Sequence, residues 1–174
     1  MADRHRQLLV ILGNQLFPLE HLEGHRDATV FMAEDLGLCT YVRHHQQKIV
    51  LFLAAMRAYR DRLIAEGFDV RYHELEPDSE SSYEDRLAAV LVETKTAELL
   101  AFEVEDRAME TRLEHFAADH DVGLQVLASP MFVTSRTGFT DYVVGAKRPF
   151  MAEFYKRQRR RLNILVDEDG NPTG

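Results

Sequence analysis

The chain has 174 residues, 45% hydrophobic and 29% charged, with a formal net charge of −8. That length supports one domain with a sizeable core, and the composition is that of a water-soluble globular protein. The acidic balance argues against a surface given over to nucleic acid, and Cys39 as the only cysteine excludes a disulfide framework or a Cys-rich metal or iron–sulfur centre within these residues.

The longest apolar run, 49–56, falls well short of the roughly 18 residues that span a bilayer. The opening "MADRHRQ" has no signal-peptide core, so the expected address is cytoplasmic. The first element is "QLLVIL" (7–12), an apolar run cut off by Gly13-Asn14-Gln15. "TVFMA" (29–33), "FDVRYHEL" (68–75), "ELLAFEV" (98–104) and "VGLQVLA" (122–128) complete five such runs. Short and mostly continuous, they suit strands covered on both faces.

Helical patterns alternate with them. The stretch 41–66 is rich in helix formers and ends at Gly67, a C-terminal stop signal. Within it "KIVLFLAAM" (48–56) is apolar nearly all round, which predicts burial on every side. A helix over 82–94 carries Leu87, Val90 and Leu91 on one face, and another over 105–121 carries Met109, Leu113 and Phe116. Two more are expected over 137–144 and 150–165. The order predicts an α/β fold: a doubly wound, five-stranded parallel sheet, Rossmann-like, with extra C-terminal helices. The α/β domain is expected to run over 1–165. The turn-rich "VDEDGNPTG" (166–174) reads as the start of a linker.

Ligands of open parallel sheets bind beyond the carboxyl ends of the strands, where the strand order reverses. With the first strand central, that crevice is bordered by Gly13–Phe17, Glu34–Leu36 with the helix that follows, and Glu103–Asp106. Gly13 leaves room for a close approach, and Asn14 and Gln15 offer both donors and acceptors to a heterocycle's edge; a plain turn accounts for the same residues. No phosphate-cradling glycine loop follows the first strand. His44 and His45 point about 100° apart on a helix and lack a third ligand, so no metal site is indicated. No nucleophile elbow or acid–base constellation is visible, which argues against catalysis by these residues alone. The basic run 147–161 offers arginines to phosphates, to solvent or to an acidic neighbour.

The stretches "LVILGNQLFP", "MAED", "TYVRHHQQKIVLFLAAMR", "GFDVRYHEL", "FEVEDRAMETRL", "MFVTSRTGF" and "KRPFMAEFYKRQRRRLNILVDEDGNPTG" occur in this order over essentially the whole chain. In this the chain resembles the N-terminal domain of the deoxyribodipyrimidine photolyase-related proteins, the prokaryotic iron–sulfur cryptochromes and (6-4) photolyases. The resemblance implies an antenna domain with the photolyase N-terminal fold. Such a domain holds a light-harvesting chromophore, typically 6,7-dimethyl-8-ribityllumazine, while FAD, the iron–sulfur cluster and the damaged-DNA site belong to a separate C-terminal domain. It further implies that DNA is reached only through the full-length protein, in light-dependent repair or blue-light sensing. The chromophore residues expected on that basis are Gly13, Asn14, Gln15 and Leu16 from the first loop, Glu34 from the second, Tyr41, His44 and Lys48 from the helix, and Glu103 from the fourth strand. Asn14 stands where the family's loop often carries an acid, which removes one charge-assisted acceptor. Two other readings remain at this point: a stand-alone nucleotide-binding α/β protein, and a module that docks a partner through its apolar helix and basic C-terminal helix.

Overall fold

The computed structural model describes residues 7–40, 42–76, 81–171 and 173. Five strands form one parallel sheet: β1 (Gln7–Val10), β2 (Thr29–Ala33), β3 (Asp69–His73), β4 (Glu98–Phe102) and β5 (Gly123–Leu127), in the order β3-β2-β1-β4-β5. The helices are α1 (Leu36–Thr40), α2 (Gln46–Ala65), α3 (Tyr83–Thr94), α4 (Arg107–Asp119), α5 (Arg136–Gly145) and α6 (Met151–Leu162). Two compact units divide between Met131 and Phe132.

The first unit is the predicted doubly wound sheet. On β1, Leu8 and Val10 join one core cluster while Leu9 and Ile11 join the other, as the two-residue period of a strand requires. The first cluster is closed by Leu87 and Val90 of α3 and by Met109, Leu113 and Phe116 of α4. The second is closed by Met56, Tyr59 and Leu63 of α2, with Phe17, Leu19 and Leu22 from the long β1–β2 connection. Each such leucine, fully buried, contributes about 1.5–3 kcal/mol of apolar transfer. Because the β2–β3 crossover lies on one face and the β4–β5 crossover on the other, strand order reverses beside β1, and the crevice opens there.

Local signals fix the helix ends. Ser82 caps α3 by a reciprocal capping box with Asp85. Gly67, at φ +85°, ends α2 in a Schellman motif: the Gly67 amide donates to the Ile64 carbonyl and the Phe68 amide to the Leu63 carbonyl, each at 3.0 Å. Two expectations change in detail. The predicted helix over 41–66 starts later, because His45 is extended and its ring Nδ1 accepts from the Gln47 amide at 3.2 Å, making it the N-cap of α2. The all-apolar stretch of α2 is also not buried all round. Its sheet-facing side is Met56, Tyr59 and Leu63, while Val50 and Leu51 are 67% and 71% exposed.

The second unit is built on α5 and α6. The Tyr142 hydroxyl accepts from the Phe150 amide at 3.0 Å and donates to its carbonyl at 2.7 Å, closing the loop between the helices. The ring of Phe154 packs edge-on against Phe139. Three arginines of the basic run bond to backbone carbonyls of their own unit, and of the run's arginines only Arg159 is buried. Arg159 donates to the carbonyls of Ile164, Leu165 and Thr173, Arg160 to that of Gly170, and Arg161 to that of Val133. Of residues 166–174, expected as the start of a linker, Gly170 and Thr173 are thereby held to α6. Among the described residues no helix is long and apolar enough to cross a membrane.

Candidate functional site

At the carboxyl ends of β1, β2 and β4 lies a cavity of about 360 Å³, within the size range of small-molecule sites. Its apolar wall is Leu12, Ala33, Ile49, Phe52, Val104 and Met109. Its polar margin is Asn14, His44, Lys48 and Asp106, with Lys48 Nζ 3.5 Å from His44 Nδ1. Asp106 is engaged as the N-cap of α4, accepting from the Ala108 amide at 2.8 Å and the Met109 amide at 3.2 Å. Cys39 also borders the cavity, and burial, with the charges of Asp35 and Glu34, pushes its thiol up. It is therefore a neutral wall group, not a thiolate nucleophile.

The loop after β1 divides its residues between site and scaffold. The Gln15 amide donates to the Leu12 carbonyl at 2.8 Å, closing a turn that brings Gly13 to the cavity. Gly13 has no room for more: a Cβ there would lie 2.6 Å from the Phe52 ring and 2.7 Å from Met56 Sδ. Phe52 thus packs over the bare backbone; the residue is 41% exposed and lines the cavity, where an aromatic ring suits a flat ligand. Gly13→Ala should displace that ring and cost about 1–3 kcal/mol in urea unfolding. An unchanged unfolding midpoint would show that Phe52 does not need the glycine.

Of the expected contacts, Gly13, Asn14, His44 and Lys48 come together at the cavity. Asn14 points its Nδ2 to Glu105 Oε2 at 3.3 Å. Gln15 does not line the cavity: it is fully buried, and its Nε2 donates to the Glu103 carbonyl at 3.0 Å, tying the loop to the end of β4. Leu16 packs with the α2-side core, and Glu103 Oε2 accepts from the Ser129 amide at 3.2 Å. Tyr41 lies outside the described residues.

Glu34 is placed elsewhere. It is 1% exposed, and its carboxylate accepts from Arg57 Nε at 2.7 Å and Nη2 at 2.9 Å, from the Tyr72 hydroxyl at 2.6 Å and from the Leu75 amide at 2.8 Å. Burial alone would raise its pKa, but those donors and the Arg57 charge outweigh it and bring it down to about 2. The acid so placed is a clamp between α2 and the β3 end, not a wall of the cavity.

Sequence pattern alone passes over Phe52 and Tyr83. Phe52 stands four residues after Lys48, on the same helix face, and that spacing is the signal that finds it. Tyr83 lines the cavity as the first residue of α3, and its hydroxyl is buried with no hydrogen-bond partner among the described residues. A buried hydroxyl left unpaired costs about 1–3 kcal/mol, and no periodicity marks it.

The family model of the deoxyribodipyrimidine photo-lyase-related proteins matches residues 9–174, which include every residue that lines the cavity. The chain belongs to this photolyase-related family. It is similar to the (6-4) photolyase of Agrobacterium fabrum, 26% identical over 172 residues that cover 97% of this chain and 34% of that enzyme. It is also similar to an uncharacterized protein of Acanthamoeba polyphaga mimivirus, 24% identical over 172 residues that cover 93% of this chain and 86% of that one. This photolyase-related chain therefore spans about a third of the photolyase and most of the viral protein.

Proposed function

We propose that this photolyase-related chain is a light-harvesting domain whose strand-end cavity holds a planar antenna chromophore, 6,7-dimethyl-8-ribityllumazine. The observation that carries the reading is the cavity itself: an apolar slot at the strand-order reversal, lined by the half-exposed Phe52 and by Tyr83, whose buried hydroxyl has no partner among the described residues. Family membership supports the ligand class.

When bound, the lumazine supplies absorption in the near-ultraviolet and blue. The residues of the chain have a simpler task. Phe52, Ile49 and Val104 exclude water and grip the flat face, while Asn14 and Lys48 read polar groups at the margin. An antenna needs a rigid, well-oriented pocket and no acid, base or nucleophile. Repair chemistry, FAD, the iron–sulfur cluster and contact with DNA are assigned to a separate C-terminal domain, corresponding to photolyase length that this chain does not match.

Docking onto such a domain has its own support. In the second unit, apolar side chains such as Val144, Met151 and Leu165 are 80%, 72% and 65% exposed, a surface that a partner domain would cover. The chromophore reading is tested by mixing the chain with the lumazine and removing free ligand by desalting. Retained, stoichiometric absorbance is expected; none at saturating ligand would overturn it.

A further inference from the structure

Tyr83 stands at the wall shared by the strand-end cavity and a neighbouring one of about 420 Å³. It is 4% exposed, and its ring is held on several sides. The Phe31 ring meets it edge-on at 5.5 Å, the Arg112 guanidinium lies 5.9 Å from its centre, and Leu87 and Val90 belong to the same core cluster. All of this is packing that a phenylalanine would share. The oxygen is what packing leaves unexplained. Among the described residues it has no partner, although a buried polar group ordinarily has one. Burial pushes the phenol far up from its ordinary value, so at neutral pH it is a neutral O–H donor.

We infer that the Tyr83 hydroxyl selects the ligand: it donates a hydrogen bond to an acceptor, a ring carbonyl or an unprotonated ring nitrogen, on the edge of a planar heteroaromatic molecule in the cavity. The inference rests on the chromophore reading above and adds to it the class of ring that fits. Phe52 accepts any flat face; the hydroxyl discriminates by edge. Tyr83 lines the cavity with its hydroxyl closed off from water, so an acceptor on a ligand seated against it is the partner that the described residues do not supply. A pteridine or flavin edge, rich in carbonyl and imine acceptors, satisfies it, whereas a hydrocarbon ring of equal size leaves it orphaned.

The test is Tyr83→Phe in the intact chain, read in two ways. Without ligand, the variant should unfold at the same temperature as the wild type or higher, because the hydroxyl it removes has no partner among the described residues. With 6,7-dimethyl-8-ribityllumazine, its dissociation constant should rise roughly 3- to 10-fold, the loss of one neutral hydrogen bond, and the bound absorption band should shift. A ligand-free variant that is markedly less stable would show that the hydroxyl has a partner inside the protein, which overturns the inference and leaves the chromophore reading standing. Equal affinity and identical bound spectra would do the same. Failure of the wild type to bind the lumazine overturns both.

Discussion

Glu34→Ala is expected to destabilise the fold by about 3 kcal/mol at neutral pH, since it strips the acceptor from the side chains of Arg57 and Tyr72 and from the Leu75 amide. The size of the effect depends on pH in a definite direction. The Glu34 carboxyl is held at about 2 in the fold, against an ordinary value of 4.5. A group that ionises more readily in the folded state adds stability above its unfolded pKa, and that contribution fades as pH falls through the window between 4.5 and about 2. Urea unfolding of wild type and variant at neutral pH and near pH 3 should therefore show a gap that narrows with acid. A gap of constant size would mean that shape, not ionisation, is what Glu34 supplies. Because the clamp lies outside the cavity wall, the variant that remains folded should still take up the chromophore.

Ile49→Trp should give the complementary result. Ile49 is half-buried on the first turn of α2 and lines the cavity. A tryptophan there puts an indole into space of about 360 Å³. Lumazine affinity should fall at least about tenfold, while stability should stay within about 1 kcal/mol because the substituted side chain extends into open volume. Unchanged affinity in a folded variant would place the ligand elsewhere. Together the two substitutions separate support from contact: one lowers stability and spares binding, the other the reverse.

The architecture was legible because each element carried its own local signal. The five apolar runs became the five strands, Ser82 capped α3, and Gly67 closed α2. Strand-order reasoning then placed a ligand crevice from alternation alone, since short continuous strands and intervening helices leave few topologies. The site's side chains were less legible, because their roles depend on residues far away in sequence. Glu34 reads as a strand-end acid, yet its partners are 23 and 38 positions away, on α2 and β3. Gln15 looks like a ligand-reading amide, but the Glu103 carbonyl, 88 positions on, claims its donor. "YVRHH" reads as the start of a helix because its residues tolerate one; capping by the His45 ring is a local choice that composition does not reveal. The arginines of α6 could be read as facing phosphate, solvent or an acidic neighbour, and two of them, Arg159 and Arg160, donate to the carbonyls of Thr173 and Gly170.

Mapping the bound chromophore residue by residue tests the central claim most directly. In an amide correlation spectrum of the chain titrated with 6,7-dimethyl-8-ribityllumazine, shifts should concentrate at the amides of Leu12, Gly13, Ala33, Phe52, Tyr83 and Val104. Shifts confined to the β3 or β5 edge, to the second unit, or to no residue at saturating ligand would contradict the account.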